Sequence, residues 1–65
     1  MNVRIELTYK TKRGMEAFFQ SEEMRADRAL IVANDFLKTG RVKSLQFIDH
    51  HDNKWNVKEM TKYLE

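Results

Sequence analysis

Val3, Ile5, Leu7 and Tyr9 alternate with Arg4, Glu6, Thr8 and Lys10. Successive side chains leave a pleated backbone on opposite sides, so this alternation marks a strand with one buried and one wet face. Such a strand needs hydrogen-bonded neighbours and something apolar to cover it. The following residues supply the first neighbour. Thr11-Lys12-Arg13-Gly14 has turn chemistry, with Gly14 free to take a positive φ. Met15, Ala17 and Phe19 then alternate with Glu16, Phe18 and Gln20 as a return strand. Phe18 departs from the pattern by standing on the nominally polar face.

The period changes after Gln20. Ser21 has the side chain of a helix N-cap, and Glu22 and Glu23 suit the positive end of a helix dipole. Ala26, Ala29, Leu30, Ala33, Phe36 and Leu37 fall on one stripe at helical spacing. Lys38 stands in the last turn and Gly40 where a C-terminal cap belongs, which predicts a helix from about Glu22 to Thr39. Three alanines on the stripe predict close approach of this helix to a sheet.

Val42, Leu45, Phe47 and Ile48 predict another strand, Asp49 to Asn53 a polar turn, and Lys54-Trp55-Asn56-Val57 a short return. Asn56 followed by Glu59 resembles a capping box opening a last helix, with Val57, Met60, Tyr63 and Leu64 on its apolar side. The expected order is ββαββα in a single domain over residues 1–65. The fold class is α+β: a small antiparallel sheet of two hairpins, one long helix packed on it, and a short C-terminal helix. Val3, Ile5, Leu7, Leu30, Ala33, Phe36, Leu37, Leu45 and Phe47 are the expected core.

Length adds a further constraint. A chain of 65 residues buries only about 60% of the surface its unfolded form exposes. Disulfides, a metal or a partner subunit usually offset that shortfall. Cysteine is absent, and only His50 and His51 could offer nitrogen to a metal, so self-association is favoured by elimination. The longest apolar run, Ala29 to Ala33, falls far short of the roughly 20 residues needed to cross a bilayer. No secretory pattern follows Met1, and a cytoplasmic chain without a membrane partner is expected.

Asp49-His50-His51-Asp52 is the one cluster of candidate ligands or acid–base groups. Neighbouring side chains on an extended backbone diverge, so a solvated turn is the simpler expectation. Asp-His-His also occurs as a motif in a family of phosphoesterases, whose larger domains carry further ligand motifs that are missing here. Ser21 and Ser44 lack an obvious base, and Gly14 and Gly40 are too far apart in sequence for a phosphate-cradling loop. No catalytic residue, metal or cofactor is expected, and the chain reads as a non-enzyme.

Two surfaces remain. On the predicted helix, Met24 and Ile31 share a face with Arg28 and Asp35, which suggests a protein contact. A homodimer built on antiparallel pairing of that face is the leading expectation, within a small protein-interaction or regulatory module. The alternative is nucleic-acid binding through Lys10, Lys12 and Arg13 at the first hairpin with Lys38, Arg41 and Lys43 around the helix exit. Phe18 and Trp55 would serve as stacking aromatics. Glu16, Glu22, Glu23, Asp27 and Asp35 interrupt that field, and the formal charge is only +2.

From Ser21 to Glu65, through the lysine- and glutamate-rich composition and the ending Lys54-Trp55-Asn56-Val57-Lys58-Glu59-Met60, the chain resembles short uncharacterised proteins of Bacillus-type bacteria and their phages. The resemblance implies a cytoplasmic protein and transfers no functional residue.

Overall fold

A computed structural model describes Met1–Glu65. The chain runs β1 (Asn2–Lys10), β2 (Glu16–Gln20), β3 (Met24–Arg25), α1 (Ala26–Leu37), β4 (Val42–Asp49), β5 (Lys54–Trp55) and α2 (Val57–Leu64). The antiparallel sheet has the order β2-β1-β4-β5, with β3 also pairing β1 on the β2 side. This is the expected α+β fold, with one two-residue strand added ahead of α1. No helix is long and apolar enough to cross a membrane.

The alternation in β1 sets both faces of the sheet. Leu7 lies opposite Phe19 of β2 and Leu45 of β4, while Ile5 lies opposite Phe47, so these side chains share one face. Both helices cover that face. Val3, Ile5 and Phe47 are fully buried with Ala29, Ala33 and Met60. The small alanines let α1 lie close on the strands, and Phe36 reaches past them to the Phe19 ring, 5.0 Å between centroids. The other face, carrying Arg4, Glu6, Thr8, Glu16, Phe18, Ser44 and Gln46, has no helix over it.

The start of α1 differs from expectation. Ser21 is not its cap: the Ser21 Oγ accepts the Ile5 N–H at 2.8 Å and donates to the Glu22 carbonyl at 2.9 Å. Ser21 N–H donates to the Ile5 carbonyl, so the edge strand continues along β1. Its register then slips: Gln20 pairs with Glu6, but Met24 pairs with Val3 and Arg25 with Asn2. The extra residue makes a bulge around Glu22 and Glu23, and only after it does the chain turn into helix. Strand pairing to β1 outweighed the local helix-start signal of Ser-Glu-Glu. At the other end α1 stops at Leu37, and Gly40 takes φ 72° in the turn that follows.

The core also shifts from expectation. Leu37 is 40% exposed and lies outside it, while Leu30, Phe36 and Leu45 are half-buried at its margin. Met60, placed by α2, fills the interior instead. Ile48 is buried although its register opposite Arg4 puts it on the uncovered face. The stems of Arg4 and Lys54 flank it there.

The capping box is present: the Asn56 side chain accepts from Glu59 N–H at 2.7 Å, and the Glu59 carboxylate accepts from Asn56 N–H at 2.9 Å. It divides β5 from α2 at Asn56.

Candidate interaction surfaces

The two basic groups meet. The β1 residue Lys10 donates its N–H to the Arg41 carbonyl at 2.9 Å, and Tyr9 lies opposite Val42. The turn holding Lys12 and Arg13 therefore sits at the same end of the sheet as the exit of α1 with Lys38, Arg41 and Lys43. Two of these cations have acidic partners: Lys43 with Glu16, and Lys38 with Asp35 at 3.8 Å. The hydrogen bond and charge of Lys43 hold the Glu16 carboxyl below its usual range. Lys10, Lys12, Arg13 and Arg41 make no ion pair.

The molecule is therefore polarised. Six cations less Glu16 and Asp35 leave +4 at this end, and the remaining six cations less eight acids leave −2, which together give the formal +2. Trp55 does not join Phe18 as an exposed stacking surface. It is half-buried on the helix-covered face, edge-on to Tyr63 with centroids 5.6 Å apart.

Phe18 is 60% exposed on the uncovered face. Beside it Thr8 and Ser44 share a hydroxyl hydrogen bond at 2.6 Å, in a shallow depression of about 220 Å³ that Glu6 and Gln46 also line. That is small for a ligand pocket, typically about 300–1,000 Å³, so this face suits contact rather than enclosure.

The edge next to Phe18 is open. In an antiparallel ladder, residues exchanging backbone bonds with the neighbour alternate with residues whose N–H and C=O point away. Ser21 N–H bonds Ile5, and Thr11 N–H bonds the Met15 carbonyl, so Met15, Ala17, Phe19 and Ser21 face β1. The backbones of Glu16, Phe18 and Gln20 consequently face outward. Edges of this kind are usually guarded by lysine, proline or a bulge. The bulge and two glutamates guard the stretch after Gln20, whereas Glu16–Gln20 has no lysine or proline and its one acid is neutralised by Lys43.

The helix patch does not assemble. Met24 lies in β3, opposite Val3 and packed against the core, because the strand runs two residues further than the helical spacing implied. Ile31 remains on the outer side of α1, 64% exposed, with exposed Arg28, while Asp35 is engaged by Lys38.

The Asp49 turn is structural in its geometry, and Asp49 is buried rather than solvated. Its Oδ1 accepts from the His51 and Asn53 amides at 2.9 Å each, and its Oδ2 from the Trp55 indole at 3.1 Å. Burial alone would raise this carboxyl, but the Trp55, Asn53 and His51 donors outweigh it and hold the pKa at about 2. The His50 and His51 rings do not diverge as on an extended chain. The turn brings their centroids to 4.0 Å, yet no cluster of three His, Asp or Glu side chains is placed to hold a metal.

Among known proteins, no family model, curated protein or solved structure matches the chain.

Proposed function

We propose that the chain is a small non-enzymatic interaction module that binds a polypeptide segment in extended form along its sheet edge. The observation that carries this reading is the row of outward backbone groups at Glu16, Phe18 and Gln20, unguarded by lysine, proline or a bulge and adjoining an exposed aromatic. Strand addition gains affinity from main-chain bonds and specificity from alternate side chains. A partner strand here would run beside Phe18 on one face and the Phe19–Phe36 cluster on the other. The test is panning a peptide library against the wild type and Phe18→Lys. Peptides with alternating apolar residues, enriched by the wild type alone, support the reading. Equal enrichment by both chains, or none by either, refutes it.

A second reading rests on a separate observation, the convergence of Lys10, Lys12, Arg13, Lys38, Arg41 and Lys43 at one end. A net excess of positive charge there favours a polyanion such as nucleic acid. Arg41 stands on the β4 side of β1, away from the β2 edge, so a charge change there tests this reading without the other.

A further inference from the structure

Building on the strand-addition reading, we infer that the segment which occupies the β2 edge is β2 of a second copy of this chain, related by a two-fold axis at Phe18. The edge is self-complementary in that register. Antiparallel pairing centred on Phe18 sets Glu16 against Gln20 of the second copy, Ala17 against its Phe19, and Phe18 against its Phe18. No like charges face each other, and the acid meets a neutral amide. The backbone parity also fits: Glu16, Phe18 and Gln20 are the residues whose N–H and C=O are free, and they are the ones that would pair.

Side-chain size agrees on both faces. On the uncovered face the two Phe18 rings become direct cross-strand neighbours, and each loses water contact it now has at 60% exposure. On the covered face Phe19 of the second copy lies opposite the smallest side chain of the strand, Ala17. Along α1 an open groove of about 260 Å³ is lined by Val32 and Phe36 with Asp35 and Thr39. Phe36 already contacts Phe19 of its own chain, so the groove adjoins this edge. The incoming Phe19 gains apolar cover from it. The Glu22–Glu23 bulge ends the pairing on one side and the Thr11–Gly14 turn on the other, which fixes the register. The product is one continuous sheet with all four helices on the same face.

The second copy matches acid to amide and large to small along Glu16–Gln20. Sedimentation velocity into the millimolar range should give a mass rising from 7.8 kDa towards twice that value. Phe18→Lys, which sets two ammonium groups together on the axis, should remain at the monomer mass. At a dilution where both chains are monomeric, circular dichroism and thermal melting of that variant should match the wild type, because Phe18 is exposed in the monomer. Phe18→Thr, a milder change kept within strand-forming residues, should lie between the two. A wild type that stays monomeric at every concentration overturns self-pairing, and peptide panning then judges the broader reading separately. A dimer that survives Phe18→Lys overturns the assigned edge.

Discussion

The Trp55 indole N–H donates to the Asp49 carboxylate across 3.1 Å and fastens the last hairpin to the strand it leaves. The same carboxylate accepts the His51 and Asn53 amides, and Asp52 adopts φ 64° within the turn it closes. Tyr63 of α2 then packs edge-on to Trp55, so one acid organises the turn and, through the indole, the seat of the last helix.

Stability should therefore report on Asp49. Its folded pKa of about 2 lies below the ordinary 3.8, so its contribution is present above 3.8 and is lost as pH falls from there through 2. The wild-type melting temperature should drop across that window by more than that of Asp49→Asn. The difference between the two curves removes the parallel effect of Glu16, whose carboxyl is also depressed. Superimposable curves would mean that the Asp49 charge does not stabilise the turn. Fluorescence of Trp55, the one tryptophan, offers a local readout of the same change.

Core substitutions should separate α2 from the margin of α1. Met60 is fully buried, and Met60→Ala should cost about 2–5 kcal/mol in urea unfolding. Leu30 is only half-buried, and Leu30→Ala should cost less than Met60→Ala. Leu37→Ala should be milder still, because Leu37 is 40% exposed. A reversed order would show that α2 does not close the core.

Particular residues explain how much of this could be read in advance. The β1 alternation, the alanine stripe and the Asn56–Glu59 box are local patterns, and each element they predict is present. Failures occur where a distant partner decides. Ser-Glu-Glu is a sound helix start until the Ile5 amide captures the Ser21 hydroxyl, and β3 then takes Met24 from the helix. Met60 carries the helical period of α2, but nothing local says that α2 covers the interior left beside α1. Asp49 resembles a solvated turn residue because its main side-chain donor, Trp55, stands across the hairpin. The free edge leaves still less trace in the sequence. Phe18 on the polar face is its one signal, and alternation shows which face a side chain takes without showing that the strand lies at the border of the sheet.

The basic end makes its own prediction. If it binds nucleic acid, affinity should fall steeply between about 50 and 200 mM salt, through release of counterions. Arg13→Glu and Arg41→Glu should each weaken binding, since neither side chain is held by an acid. Lys43→Glu should also disturb Glu16, its ion-pair partner. Fluorescence anisotropy with labelled single and duplex strands measures this, and no binding at low salt would eliminate the polyanion reading.

Amide hydrogen exchange along β2, followed as a function of protein concentration, addresses the edge residue by residue. In a dilute sample the amides of Ala17 and Phe19, which face β1, should exchange slowly, and those of Glu16, Phe18 and Gln20 quickly. On concentration, the second set should become protected while the first changes little. Outward amides that remain fast at every concentration, or that are already slow in the dilute monomer, would contradict an open edge filled by a second copy.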